Sequence, residues 1–179
     1  MDWNVVVTVM PGPHHERDLL GALSRFGRFR RTPFKGVCAG RAEDTLAFLD
    51  AIKAARDAAE PWAATIGRVI PVERTFPFMP ESLLDQLKAA TEPFVEQLAS
   101  GTFCVRLERR GMAGLLDSPR IEREVADHIA ALAEKRGVQL TTALDDPDFL
   151  IAAETVGGEC GVMLLTRALR SRYPFLQLR

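Results

Sequence analysis

Apolar and polar positions along the chain repeat with two different periods, and the switches between them mark the elements. Residues 5–9 (Val-Val-Val-Thr-Val) are a continuous β-branched run, the pattern of a strand covered on both faces. Pro11-Gly12-Pro13 ends it. Leu19, Leu20, Leu23 and Phe26 then fall at helical spacing, which predicts a helix from about His15 to Phe26, stopped by Gly27. Arg28-Phe29-Arg30-Arg31 and, beyond Pro33, Val37 to Ala42 predict two short strands. Asp44 caps a second helix running to about Ala59, with Leu46, Leu49 and Ile52 on its apolar side and Lys53 or Arg56 opposite, and Pro61 ends it. Ile66 to Val72 predict a fourth strand. Thr75 to Pro80 contain two prolines and read as a stiff linker whose aromatics pack between two lobes.

The second half repeats the alternation. Leu83, Leu84 and Leu87 lie on one helix, and Pro93 forces a new start or a kink before Gly101. Thr102 to Gly111 form a strand that ends in basic residues. Ser118 as N-cap with Pro119 at the first helical position opens a long helix, whose core stripe is Ile121, Val125, Ile129 and Leu132 and whose stop is Gly137. Phe149–Val156 and Glu159–Leu165 are adjacent strands of a mixed sheet on either side of Gly157-Gly158. The fold class is α+β. The order β-α-β-β-α-β over residues 1–74 is the split βαβ, or ferredoxin-like, arrangement, and residues 75–179 form an α/β lobe.

Composition changes this picture little. The 179 residues with 47% hydrophobic content suffice for one domain or two small ones. Net charge is −1, so a polyanion site has to be a local patch with acids on other faces. Four of the 23 basic residues are lysines and the rest arginines, the side chain that suits phosphate and stacks on bases. A GC-rich genome, which raises Arg and Ala together, is the other source of that bias. Cys38, Cys104 and Cys160 are odd in number, widely spaced and without a C-x-x-C, which points to reduced thiols in a cytoplasmic protein rather than zinc or disulfides. Asp2 stands where a signal peptide carries basic residues, and the apolar run Val5–Met10 is too short for a membrane span.

Catalytic motifs are weak. Gly157-Gly158-Glu159-Cys160-Gly161 lacks the Gly-Lys-Ser/Thr of a phosphate loop and the frame of a dinucleotide loop, so a tight strand connection explains it better. Asp145, Asp146 and Asp148 do not fit a calcium loop, and a proline-containing turn explains them. The pair His14 and His15 suits neither a metal pair nor a charge relay, and His128 lies at the edge of a core stripe. No cofactor or metal is expected. What remains is guanidinium. Arg109 and Arg110 end a strand, and Arg120 and Arg123 stand on the next helix's first turn, where free N–H groups welcome phosphate. Lys135, Arg136, Arg167, Arg170 and Arg172 extend the set. Arg28, Arg30, Arg31 and Lys35 form a second cluster with Phe29 and Phe34 between them for stacking. The alternative is that these are solvated faces paired with Glu122, Glu124 and Asp127.

Four segments in this order resemble a THUMP domain, the tRNA-binding module of thiouridine synthases, RNA methylases and pseudouridine synthases. They are Thr102-Phe103 with Arg109-Arg110-Gly111, the Pro119-started helix with Ile121-Glu122 and Val125, Asp146-Pro147-Asp148-Phe149-Leu150-Ile151, and Gly161–Leu165. The likeness runs from residues 75–102 to the C-terminus, and the first lobe is similar to the ferredoxin-like domain that precedes THUMP in that family. Asp146 departs from the family's usual Asn, and Leu115-Leu116 differ from many members. The resemblance implies that both lobes hold tRNA, with the acceptor end and its 3′ tail on the THUMP surface. Enzyme members carry a further catalytic domain, and the sequence closes at Arg179 without one. The expectation is therefore a non-catalytic adaptor, most like the stand-alone THUMP proteins that assist a tRNA cytidine acetyltransferase. Its partners would be tRNA and a separate RNA-modifying enzyme, with no membrane. A small-molecule enzyme with a site at the lobe junction near His14, His15 and Arg74, or a protein-interaction module, are the alternatives.

Overall fold

A computed structural model describes residues 3–176; Met1, the acidic Asp2 and residues 177–179, including the terminal Arg179, lie outside the described residues. The chain divides into two compact units, the first ending at Val72 and the second running Glu73–Arg172. Tyr173, Phe175 and Leu176 belong with the first unit although they follow the second.

In the first unit β1 (Val5–Val9), β2 (Gly27–Arg31), β3 (Val37–Ala42) and β4 (Ile66–Pro71) form one antiparallel sheet in the order β2-β3-β1-β4. This is the strand order of the split βαβ arrangement. Val5, Val6 and Val7 are all fully buried, as the unbroken β-branched run requires of a central strand. Gly27 sits at φ 150°, where a Cβ would lie 2.0 Å from the Arg41 carbonyl oxygen, so β2 approaches β3 too closely for any other residue.

α1 (His15–Leu23) buries Leu19 and Leu23. α2 (Thr45–Asp57) starts where the Asp44 carboxylate accepts the Ala47 N–H at 3.0 Å. Its buried side is Phe48, Leu49, Ile52 and Ala55, whereas Leu46, expected in the core, is exposed, because Phe48 packs against Phe26 and Phe29 in its place. Pro61 opens a one-turn helix, α3 (Pro61–Ala64), rather than closing α2, since a first-turn position has no use for an N–H. The returning C-terminal segment is fastened three ways: Tyr173 donates to Asp50 at 2.6 Å, Val69 N–H donates to the Phe175 carbonyl at 3.0 Å, and the Arg56 guanidinium lies over the Phe175 ring.

In the second unit, β5 (Arg74–Pro77), β6 (Gly101–Glu108), β7 (Leu140–Thr142), β8 (Phe149–Val156) and β9 (Glu159–Thr166) form a mixed sheet ordered β5-β9-β8-β6-β7. The stretch expected to be a linker is thus largely an edge strand, paired antiparallel with β9, and Phe76 and Phe78 pack into this unit's own core. Pro77 is tolerated because β5 is an edge. β6 runs parallel to both β7 and β8, and β7 covers only its first three residues.

α4 (Leu83–Thr91) and α5 (Ser118–Lys135) lie on one side, burying Leu83 and Leu87 from α4 and Ile121, Val125 and Ile129 from α5 against Phe103, Val105 and Leu107. Each such side chain contributes about 1.5–3 kcal/mol on full burial. Pro93 opens a 3₁₀ turn after α4. The N-cap of α5 is Asp117, whose carboxylate accepts the Arg120 N–H at 3.1 Å, so Ser118, expected there, is the first helical residue. At its other end Gly137 (φ 76°) lets its own N–H reach the Glu134 carbonyl and that of Val138 reach Ala133, a left-handed C-terminal cap. A short helix, α6 (Arg167–Arg172), follows β9.

Candidate nucleic-acid interface

The basic residues divide by what stands next to them. Past the end of β6, Arg109 is exposed, and among the described residues its guanidinium reaches only the carbonyl of Gly111. Arg110 points the other way. Its side chain is 9% exposed and forms an ion pair with Glu154, which is wholly buried on β8. Just beyond the end of β6 the two side chains thus part, and only one of the two arginines expected here is presented outward. Arg110 holds β6 to β8 and belongs to the interior.

On α5 the helix start is filled by the chain itself. Asp117 takes the Arg120 N–H, and the Arg120 guanidinium bonds to Glu124 at 2.8 Å, an interaction that holds the Glu124 carboxyl below its usual range and raises Arg120. Arg123 is exposed with no carboxylate within ion-pair distance among the described residues. Lys135 is likewise exposed and unpaired, and Arg136 lies 3.4 Å from Glu96. These two sit roughly 18 Å along the helix from Arg123, at 1.5 Å per residue, with Asp127 and Glu134 between. The basic residues of α5 therefore do not form one patch.

The Arg-rich end of the chain is neutralised. Arg167 pairs with Asp146 at 3.2 Å and Asp148 at 2.8 Å; Arg170 pairs with Asp146 at 3.1 Å and donates to the Pro147 carbonyl. Asp148 also accepts from the N–H and hydroxyl of Thr102, both at 2.8 Å, and these bonds, with the nearby arginines, hold its carboxyl below the usual range. The aspartate turn is a clamp between β6, β8 and α6. Arg172 is exposed.

In the first unit Arg28 and Arg30 are exposed on β2, the outer strand, without ion-pair partners among the described residues, and Lys35 is exposed in the following loop. Arg31 pairs with Glu16 at 2.8 Å. Phe29 alternates to the other face and stacks on Phe48, with centroids 5.4 Å apart, so the expected interleaving of aromatic and basic groups on one face is not formed by Phe29.

One feature of the second unit carried no sequence signal. A cleft of about 380 Å3 opens where β7 stops, lined by Val105, Arg106, Pro119, Glu122, Arg123, Ala126 and Leu144 among others. Arg106 pairs with Glu122 at 3.6 Å, and the other oxygen of that carboxylate accepts the Leu107 N–H at 2.7 Å. Leu144 stands exposed at the rim. The alternation of β6 hides Arg106 among strand residues, and nothing local tells that β7 is only three residues long.

The three cysteines are buried and free. Burial pushes the thiols of Cys104 and Cys160 up, and burial with the charge of Glu16 pushes Cys38 up to about 11. His128 bonds to Glu92 at 2.9 Å and His15 to the Met10 carbonyl at 3.0 Å. Among the described residues no three acidic, histidine or cysteine side chains gather as a metal site, and no helix is long and apolar enough to cross a membrane.

With this geometry in hand, residues 81–165 match the THUMP domain, so the second unit contains one. No curated protein matches the chain. Among solved structures it is similar to PH1313 from Pyrococcus horikoshii (TM-score 0.59, 13% identity, 91% of this chain and 55% of that one). TrmN from Thermus thermophilus gives a TM-score of 0.59 at 17% identity, over 89% of this chain and 44% of that one. A 4-thiouridine synthetase solved with RNA and ATP gives 0.52 at 15% identity, over 92% and 41%. At these identities the likeness is one of fold, and the chain spans about half or less of the length of these structures.

Proposed function

We propose that this THUMP-domain chain is a tRNA-binding protein of the cytoplasm that presents the acceptor stem and 3′ end to a separate modification enzyme, such as a tRNA cytidine acetyltransferase, and is not itself catalytic. The observation that carries the reading is the exposure of Arg109 and Arg123 on the THUMP unit with no carboxylate beside them among the described residues, where Arg106, Arg110, Arg120, Arg136, Arg167 and Arg170 all have one. An exposed, unneutralised guanidinium attracts phosphate and releases counterions on binding. Arg28, Arg30 and Lys35 offer the same chemistry on the first unit. Two solved proteins of similar fold support the assignment by their descriptions: one is a 4-thiouridine synthetase in complex with RNA, and another is TrmN.

The test is a gel shift of the whole chain with total tRNA, intact and with its 3′ tail trimmed, through a salt series. Retardation that weakens on trimming and fades steeply with salt is expected. Equal retardation of trimmed and intact tRNA would remove the 3′-end assignment, and no retardation at low salt would remove RNA binding altogether.

A further inference from the structure

The chain enters its first unit twice, up to Val72 and again at Tyr173, with Glu73–Arg172 in between. The second entry is a β-turn. The Leu176 N–H donates to the Tyr173 carbonyl at 2.9 Å, and Pro174 takes the second position, where its fixed φ is already the one a turn requires. Pro174 is exposed, and Tyr173, Phe175 and Leu176 are all buried. A backbone preset in this way turns three large side chains inward together and gives up little freedom in doing so.

The turn rests on two elements of the first unit. β4 is an end strand of its sheet, and the Val69 N–H donates to the Phe175 carbonyl at 3.0 Å. An end strand left bare is a template for pairing with another chain. From α2, Asp50 accepts the Tyr173 hydroxyl at 2.6 Å. The Arg56 guanidinium lies 5.1 Å from the centre of the Phe175 ring and donates to the Ile66 carbonyl of β4 at 2.7 Å. Arg56 thus ties α2, β4 and the turn together. Among the described residues, the core of the second unit, built around Phe103, Val125 and Ile151, includes none of the three side chains.

We infer that Tyr173–Leu176 is a latch. Seated, it closes the β4 edge and the α2 side of the first unit, which keeps its fold only while the latch is in place; the second unit stands without it. A unit this small has little buried apolar area to spare, so three such side chains decide whether it is stable. Domains generally fold in the order of their synthesis. Here the first unit is completed last, because Glu73–Arg172 must be made before the latch. The inference is independent of the RNA-binding reading.

The experiment uses the whole chain. Both tryptophans, Trp3 and Trp62, lie in the first unit, so tryptophan emission on heating reports that unit, and hydrogen exchange of the α5 amides at 25 °C reports the second. Tyr173→Ala with Phe175→Ala is expected to lower the emission midpoint by more than about 10 °C and to leave α5 exchange rates within about threefold of the wild type. Should the double variant fail to fold its first unit at all, α5 is expected to keep its protection, and Phe175→Leu, a smaller loss, is expected to lower the midpoint by about 4–8 °C. A midpoint within about 2 °C of the wild type in both variants overturns the latch. Exchange in α5 that rises in step with the loss of the emission midpoint overturns it too, since the turn would then belong to one cooperative core.

Discussion

The outer edge of the first sheet and the corner where α6 meets residues 145–148 both gather arginine, and they put it to opposite uses. On β2, Arg28 and Arg30 stand exposed without ion-pair partners among the described residues. At the corner, Arg167 and Arg170 close onto Asp146 and Asp148, which in turn hold Thr102. An arginine count says how much positive charge a chain carries. Whether that charge faces a ligand depends on whether a turn supplies carboxylates at the right separation. The same contrast occurs within one dipeptide, Arg109 outward and Arg110 buried against Glu154.

The largest test of this division is Arg110→Ala. Removing one partner of a buried ion pair costs about 3–5 kcal/mol, so urea unfolding is expected to show a loss on that scale. A loss under about 1 kcal/mol would place Arg110 with the exposed group. The opposite pattern is expected of Arg109→Glu with Arg123→Glu: stability within about 0.5 kcal/mol of the wild type, as for surface changes, but RNA affinity lowered and the salt slope reduced by about 0.7 for each lost contact to a single strand. An unchanged slope would move the phosphate contacts elsewhere.

A third test crosses the two regions directly. Arg28→Ala with Arg30→Ala is expected to weaken RNA binding without shifting the unfolding midpoint, and Arg170→Ala to shift the midpoint without changing the salt slope. If both variants behaved alike, the two arginine clusters would not differ in role.

The smallest effect concerns acid. The Asp148 carboxyl is held below its ordinary value of about 3.9 by the Thr102 bonds, so its stabilising contribution is full above that value and is lost as pH falls through the lower folded value. Asp148→Asn is expected to flatten the unfolding midpoint against pH below about pH 4 and to leave the slope near neutrality unchanged. An acid limb as steep as the wild type's would mean that another carboxylate governs it.

Much of this organisation was legible in the residues. The Val5–Val9 run, the Asp44 cap, the helix closed by Gly137 and the hairpin at Gly157-Gly158 are local signals, and each element formed where its pattern lies. The misread stretches depend on distant partners. Residues 74–77 become a strand because β9 offers an edge, although Pro77 and, just beyond, Pro80 argue for a linker. Leu46 yields to Phe48 because Phe26 and Phe29 come from another part of the chain. The cap of α5 moved by one residue, since Asp117 accepts the Arg120 N–H in place of Ser118. For the site, residue type located the cations, but not which of them would meet a carboxylate: Arg110 meets Glu154 across 44 positions, and Arg170 meets Asp146 across 24. The cleft beside β6 left no trace in the sequence, because it depends on β7 being short.

The division of arginines into outward and neutralised is tested most directly by the salt dependence of tRNA binding, measured side by side for the wild-type chain and Arg109→Glu/Arg123→Glu. With about four phosphate contacts, the wild type should give a slope of log K against log salt near −3, and the variant one shallower by about 1.5. A wild-type slope near zero, or two parallel lines, would show that these exposed guanidiniums do not hold the RNA.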